Sequence, residues 1–264
     1  MYRTFPPPPA LVAHVRMFWV FEHEVSLGEP YVYRSMADGC VEMVFHYKGM
    51  FTEPARPGDV YHPAVVHAQS SHYRRFLTHG SFGIFGVYLY PTALPQLFGL
   101  PATDFSNQMP GLEAVLGTEG RLLEERIMTA PHHHARVKIL SAFLEARLRK
   151  RAQHPTAAHL ALRHILHQQG QLNVEQLAAE TCLSRRQFER RFKEYCGFSP
   201  KLYTRIIRFQ HALAAYGEGR SLTEIGYACG YYDQSHFIRE FREFSGYHPR
   251  QYFAGRPEGI EYRE

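Results

Sequence analysis

A sequence motif that occurs twice in the last third of the chain constrains its fold more than any other feature. The segment 183–200 (LSRRQFERRFKEYCGFSP) is echoed about 49 residues later by the segment 231–249 (YYDQSHFIREFREFSGYHP). A solenoid needs at least three stacked repeats, so two copies instead indicate a helical unit that contacts two successive places on one partner. The matching pairs are Phe188 and Phe237, Arg190 and Arg239, Phe192 and Phe241, Lys193 and Arg242, Glu194 and Glu243, Gly197 and Gly246, and Pro200 and Pro249.

Length, charge and hydropathy limit the classes of protein to which the chain can belong. Its 264 residues favour two domains, and its 45% hydrophobic content is sufficient for two buried cores. The first residues (MYRTFPPPPALVAHV) lack the basic start and apolar core of a signal peptide. No apolar run approaches the roughly 18 residues of a membrane span. The net charge of +5 is compatible with an anionic partner. These features predict a soluble, cytoplasmic protein with no membrane partner.

Cysteines and histidines show no spacing typical of a metal or redox centre. The four cysteines lack a CxxC pair, which favours reduced thiols over disulfides, and buried, inert thiols over redox sensors. The histidines at 62–79 and 132–134 lack the close H-x-H pair of a metal-binding barrel. We therefore expect no bound metal, no other cofactor and no catalytic residues. The cysteines are Cys40, Cys182, Cys196 and Cys229.

Roughly the first 90 residues have the pattern of β-strands. Val41, Met43, Phe45 and Tyr47 lie at alternate positions, and the segment 83–90 (GIFGVYLY) is a nearly continuous apolar run. Turn-forming residues at 28–30, 37–39 and 57–59 separate such segments. The pattern predicts a small β-barrel or sandwich.

Helical periodicity begins after this region. Short helices are expected at 93–98 and 122–128, and a longer helix over 133–151. The apolar stripe of the longer helix suits either its own β domain or a second subunit, and both alternatives stay open. The segment 153–155 (QHP) is typical of a linker, which predicts domains at 1–152 and 153–264.

The C-terminal region is predicted to be wholly helical, with seven helices. Asn173, Ser184 and Ser221 stand where N-cap residues are favoured, and Ser199 with Pro200 begins a long helix to about residue 216. Gly197 stands where a left-handed C-cap is favoured. The sequence therefore predicts an α+β protein with an N-terminal β-barrel, trailing helices and a C-terminal all-α domain.

Each copy of the motif predicts a helix-turn-helix, in which a second helix enters the major groove of DNA. Side chains that the core does not need include donors suited to guanine edges and phosphates, and a glutamine suited to adenine. A connecting helix of 18 residues spans about 27 Å, against roughly 34 Å between successive groove entries on one face of the duplex. The candidate DNA-binding residues are Arg185, Arg186, Gln187, Glu189, Arg190, Lys193, Gln234, Ser235, His236, Arg239 and Arg242.

The segment from Leu177 to Tyr252 resembles the tandem helix-turn-helix domain of the AraC/XylS-type bacterial transcription regulators. The second copy follows that family's pattern, G-Y-x-D-x-S-x-F-x-R-x-F-R/K with a later G-x-x-P. A departure is Gly226, where the family more often has alanine; it should cost about 1 kcal/mol of helix stability at most. The resemblance implies a sequence-specific regulator in which seven residues read bases: Arg186, Glu189, Arg190, Gln234, Ser235, His236 and Arg239.

The N-terminal half resembles the cupin-like domains that accompany this module, through FWVFEHE, YRSMADGCVEMVF and FGVYLYPTALPQLFG. This resemblance implies a domain that binds a small effector, mediates dimerisation, or both. Aromatic residues on strands are candidates for the pocket or for plain core, and charged residues beside them are candidates for effector contacts or for internal ion pairs. The pocket candidates are Trp19, Arg34, Asp38, Glu42, Phe45 and Tyr88.

The partners implied by the resemblance are double-stranded DNA, a small-molecule effector, a second copy of the chain and RNA polymerase. Two other classes remain as alternatives. A cupin-type enzyme fused to a DNA-binding module would need a metal or catalytic triad, and the sequence shows neither. An alkyl-transfer repair protein would need a reactive cysteine within a metal-like cluster, and Cys40 stands alone.

Overall fold

The computed structural model describes residues 1–26, 28, 30–54, 61–150, 156–215 and 220–255. The chain divides into two compact units. The first comprises Met1–Val32, Cys40–Gln69 and Arg75–His154, and the second comprises Tyr33–Gly39, Ser70–Arg74 and Pro155–Glu264. A sheet-rich first unit and a helical second unit confirm the predicted α+β class. The predicted linker at 153–155 and the turn at 57–59 lie outside the described residues, so the domain boundary stays a prediction.

The first unit is built on a five-stranded sheet in the order β1-β2-β7-β4-β5, with antiparallel neighbours. Strands β3 and β6 form a separate two-stranded sheet. The description of the N-terminal region as a closed, cupin-like barrel stays a prediction. The strands are β1 (Tyr2–Phe5), β2 (Val15–His23), β3 (Tyr31–Ser35), β4 (Val41–Lys48), β5 (Ala64–His67), β6 (Arg74–Thr78) and β7 (Phe82–Leu89).

The two faces of the five-stranded sheet have different surroundings. Alternate residues such as Phe18, Phe45 and Phe85 join one buried cluster with Leu123 and Leu140 from the following helices. Because successive side chains of a strand point to opposite faces, the residues between them lie on the other face. The helices after the sheet are α1 (Leu112–Leu116), α2 (Thr118–Met128) and α3 (His133–Lys150). Helix α3 therefore packs on its own β domain, which supports one of the two alternatives for its apolar stripe.

The predicted short helix at 93–98 is a π-helical turn over Leu94–Phe98, ended by Gly99 in the left-handed conformation (φ 71°). Pro95 lies inside it and has no backbone N–H to donate, which is compatible with its irregular hydrogen bonding. A 3-10 turn follows at Ala102–Asp104.

The described residues of the second unit contain the seven helices expected from the sequence. Four of their N-caps are those predicted: the side chains of Asn173, Ser184, Ser199 and Ser221 each accept a backbone hydrogen bond from the first turn that follows. The helices are α4 (Ala157–His167), α5 (Val174–Glu180), α6 (Arg185–Cys196), α7 (Pro200–Ala214), α8 (Leu222–Ala228), α9 (Gln234–Ser245) and α10 (Pro249–Phe253).

Candidate nucleic-acid interface

The first helix-turn-helix consists of α5, a turn and α6. Phe188 and Phe192 lie on the inner face of α6 and are buried. Ser184 and Gln187 form a reciprocal capping box at its start, which occupies the Gln187 side-chain oxygen with the Ser184 backbone N–H at 3.1 Å. Gln187 is exposed, and its side chain helps to cap α6; its contact with DNA stays a prediction.

The outer face of α6 is basic. Arg186, Arg190 and Lys193 are exposed and lie at i, i+4 and i+7, so they share one side of the helix. Arg185 is also exposed, but its guanidinium is paired with Glu175 at 2.9 Å and with Glu189 at 3.1 Å. The three residues on one side therefore form a coherent surface, while Arg185 and Glu189 are joined in a surface ion pair beside it.

The second helix-turn-helix consists of α8, a turn and α9. Asp233 caps α9 by accepting a hydrogen bond from the backbone N–H of His236 at 2.7 Å. Ser235, Arg239 and Arg242 are exposed and again lie at i, i+4 and i+7. They occupy the motif positions of Arg186, Arg190 and Lys193 in the first copy.

Two other predicted residues of α9 are less exposed. Gln234 is half-buried at the start of the helix. The ring of His236 packs 5.4 Å from that of Tyr231, and its Nε2 lies 3.1 Å from the carboxylate of Glu240. The His236 side chain is 26% exposed, so it lies at the edge of the outer face with one ring nitrogen against Glu240, and its contact with DNA stays a prediction.

The turn of each copy contains one residue in the left-handed conformation, and the residue type differs between the copies. Cys182 in the first turn has φ 54°, and Gly230 in the second has φ 76°. The left-handed conformation is open to glycine but costs other residues roughly 1–2 kcal/mol. The first copy therefore carries a small backbone strain that the second avoids.

Helix α7 joins the two copies. It has 15 residues, which corresponds to about 22 Å, shorter than the 27 Å predicted. Ala215 forms its C-cap, and the predicted end at 216 lies outside the described residues. Tyr203, Ile206 and Phe209 are buried, so the helix is part of the domain core and not an exposed spacer.

Sequence reasoning missed two exposed tyrosines next to the second recognition helix. Tyr232 is 86% exposed and directly precedes the cap residue Asp233, and Tyr227 on α8 is also exposed. Large exposed aromatic side chains are enriched at interaction sites. The local sequence gave no clear signal, because a hydrophobic residue before an N-cap often packs against its own helix.

The six predicted pocket residues are divided between the two units. Trp19, Glu42, Phe45 and Tyr88 belong to the first unit, but Phe45 joins the helix-side core, so it points away from the face that carries the other three. On that face the rings of Trp19 and Tyr88 lie 5.9 Å apart, and Tyr88 pairs across the strands with Glu42.

Arg34 and Asp38 lie in Tyr33–Gly39, a segment of the second unit. The guanidinium of Arg34 lies 3.7 Å from the ring centroid of Tyr247, and its Nη1 donates to the carbonyl of Ser245 at 3.4 Å. Ser245 ends α9, where unpaired carbonyls and the helix dipole favour a cation. These contacts give Arg34 a packing role inside the second unit, which differs from the predicted effector contact.

The thiols are mostly buried, as expected. Cys40, Cys196 and Cys229 are buried, and burial raises the pKa of Cys229 to about 11. Cys182 is the exception, because its turn lies at the surface. Within the described residues, no group of three or more His, Cys, Asp or Glu side chains is arranged to hold a metal ion. No described helix has the length and apolar character needed to cross a membrane.

Comparison with known proteins assigns the two halves differently. A family described as a helix-turn-helix domain matches residues 177–255, and the Domain of unknown function (DUF6597) matches residues 3–110. The chain is similar to the HTH-type transcriptional regulator ArgR of Pseudomonas aeruginosa, with 35% identity over 81 residues, 30% of this chain and 25% of that protein. It is also similar to the HTH-type transcriptional activator RhaS of Escherichia fergusonii, with 31% identity over 90 residues, 33% of this chain and 32% of that protein.

The chain thus spans about a quarter to a third of the length of the curated relatives that it matches. Among solved structures, ToxT from Vibrio cholerae (P21 form) has a TM-score of 0.50 at 13% identity, covering 90% of this chain and 98% of that one. At this identity the similarity shows the fold alone. The duplicated motif, the two capped helix-turn-helix units and the family match over residues 177–255 all indicate the same kind of domain. Residues 177–255 therefore form an AraC-type tandem helix-turn-helix domain.

Proposed function

We propose that the chain is a sequence-specific transcription regulator whose helices α6 and α9 bind successive major-groove segments of one DNA duplex. The observation that carries the proposal is the equivalence of two exposed faces, one with Arg186, Arg190 and Lys193 and the other with Ser235, Arg239 and Arg242. Arginine and lysine donate to guanine edges and to phosphates, and serine donates or accepts in the same groove.

The first unit is proposed to bind a small effector and to hold a homodimer that acts with RNA polymerase. Support for an effector site comes from the sheet face that carries Trp19, Tyr88 and Glu42, where His67 Nδ1 lies 3.9 Å from the Glu42 carboxylate. Aromatic walls beside buried ionisable groups suit a small organic molecule with a hydrogen-bonding group. The relatives are transcription regulators, and the proposal assigns the chain no catalytic activity.

Selection of bound sequences from a random duplex library with the full-length protein, at several salt concentrations, tests the DNA-binding proposal. We expect a motif with two parts, separated by about one helical turn of DNA. Binding that is motif-free and falls steeply with salt would reflect phosphate contacts alone and would contradict the proposal.

Fluorescence of Trp19, the only tryptophan, tests the effector site. A panel of small amines and carboxylic acids should include compounds that change the emission and also shift DNA affinity. The variant Glu42→Gln should weaken the response to those compounds. A panel member that changes DNA affinity without changing the emission would place the effector elsewhere.

A further inference from the structure

Glu240 is a buried carboxylate on recognition helix α9, and three basic side chains surround it. The residue is 2% exposed. Its carboxylate oxygens lie 2.6 Å from Arg205 Nε, 3.3 Å from Arg208 Nη2 and 3.1 Å from His236 Nε2. A buried carboxylate is strongly unfavourable unless it is paired and hydrogen-bonded, so this cluster favours one placement of α9 over its alternatives.

Arg205 and Arg208 both come from α7 and lie three residues apart, on one face of that helix. Arg205 also contacts the C-terminal half of α9, with Nη2 2.6 Å from the carboxylate of Glu243 and its guanidinium 5.1 Å from the ring centroid of Phe244. Through this one side chain, the connecting helix is tied to two further positions along α9.

Arg208 contacts the turn before α9. Its Nη1 donates to the carbonyl of Gly230 at 3.4 Å, and its guanidinium lies 4.8 Å from the ring centroid of Tyr231. Burial, followed by the charge of Glu240, raises the pKa of Tyr231, so its hydroxyl stays protonated. Together the two arginines hold the second recognition helix along most of its length, with Glu240 as their shared acceptor.

The first copy has no counterpart of this carboxylate. The residue at the same motif position is Arg191, which is exposed. Instead, α6 is placed by aromatic packing, with the ring of Phe192 5.8 Å from that of Phe188 and 6.0 Å from that of Tyr203. The motif therefore does not require an acid at this position in order to fold.

We propose that Glu240 is a positioning residue for DNA recognition by the second helix. It holds Arg205, Arg208 and His236 so that Ser235, Arg239 and Arg242 meet the bases in a fixed register, and it does not itself touch DNA. The inference rests on the proposed DNA-binding function.

The test is sequence selection with full-length Glu240→Gln, beside wild type and Glu243→Gln. Both variants remove one negative charge from α9, so the change in net charge is the same. We expect Glu240→Gln to keep the part of the motif read by α6 and to lose about tenfold discrimination at the bases read by α9. Glu243→Gln, whose partner Arg205 is still held by Glu240, should select the wild-type motif. Glu240→Asp should restore part of the discrimination.

Several outcomes would overturn the inference. One is a Glu240→Gln motif identical to wild type. Another is a uniform loss over both parts of the motif that follows a lowered Tm, because that would assign Glu240 to stability alone. If Glu240→Gln does not fold, the variant Arg205→Gln is tested instead, because Arg208 and His236 still contact Glu240 in it. A partial loss of discrimination at the bases read by α9 supports the inference. An unchanged motif overturns it. A wild-type protein that selects no motif would instead overturn the proposed function, and this inference with it.

Discussion

The two copies of the helix-turn-helix share their cores and differ in their polar contacts. Phe188 and Phe192 correspond to Phe237 and Phe241, and all four are buried. By contrast, α6 presents mainly arginine and lysine, whereas the equivalent face of α9 includes Ser235. The buried phenylalanines repeat, and so do two basic positions of the exposed face, Arg190 with Arg239 and Lys193 with Arg242, whereas Arg186 is replaced by Ser235 and Arg191 by Glu240. We infer that the first copy contributes more to general phosphate affinity and the second more to discrimination between bases.

The two cores also differ in size. The ring of Phe241 lies within 5.7 Å of the rings of Phe209, Phe237, Tyr252 and Phe253. The ring of Phe192 is paired with those of Phe188 and Tyr203. Helix α10 supplies the additional aromatic residues, so the second copy is packed on more sides.

The largest expected effect is on the stability of these cores. Phe241→Ala should lower the free energy of unfolding by about 3–5 kcal/mol, because it leaves a cavity among aromatic rings. Phe192→Ala should cost less, as fewer aromatic rings line its site. Urea unfolding followed by circular dichroism measures both, with the Phe→Leu variants as controls for smaller loss of volume. Equal losses at the two sites would show that the cores are equivalent.

The next effect concerns DNA. Arg239→Ala and Arg190→Ala should each cost about 1–3 kcal/mol of binding and relax specificity at one position, in different parts of the motif. The variants Arg239→Lys and Arg190→Lys keep the charge but lose the bidentate geometry, so they should retain affinity better than specificity. Competition binding with single-base variants of the selected site measures both quantities. Relaxation at the same base by both alanine variants would contradict separate readout by the two copies.

Loss of a helix cap should have a smaller effect. Asp233→Ala and Ser184→Ala each remove the side chain that accepts a backbone N–H at the start of a recognition helix, which costs about 1 kcal/mol. Ser184→Ala also removes half of a capping box. The thermal unfolding midpoint should fall modestly in both variants, and Asp233→Asn should be nearly neutral. A neutral Asp233→Ala would mean that the α7 contacts alone hold the start of α9.

The smallest effect, and a stabilising one, is expected at Gly226. The first copy has Ala178 at this position of the support helix, and a methyl group on Gly226 would meet the nearest atom, Phe237 Cβ, at an ordinary contact distance of 3.6 Å. Gly226→Ala should therefore raise the free energy of unfolding by up to about 1 kcal/mol through helix propensity. Ala178→Gly is the matched control and should lower it by a similar amount. A destabilised Gly226→Ala would show that the support helix of the second copy lies too close to α9 to accommodate the methyl group that Ala178 carries in the first copy.

Prediction from the sequence succeeded where the signal is local. The caps at Asn173, Ser184, Ser199 and Ser221 are present, because a cap depends on residues within one turn of helix. Prediction was less complete for side-chain direction at the boundary between core and surface. The spacing predicts His236 on the outer face, and it does not show that the Nε2 of this residue also contacts Glu240 one turn later.

The pocket candidates show a related limit. The sequence predicts both Trp19 and Phe45 as aromatic residues on strands, and only the register of the sheet shows that they lie on opposite faces. The sequence predicts Arg34 as a charged strand residue that could contact an effector. In the structure its guanidinium packs on the ring of Tyr247, more than 200 residues later in the chain. Sequence spacing carries no information about such pairs.

By itself, the sequence determined the α+β class, the seven C-terminal helices, four of their caps and the duplicated motif, because periodicity and capping act over a few residues. Only the tertiary structure decided which polar residues became internal. Glu240 and Arg205 are 35 positions apart, and Arg34 and Ser245 are 211 apart. A charged side chain looks the same in the sequence whether it faces water or a buried partner, and its role is set when packing brings that partner within hydrogen-bond distance.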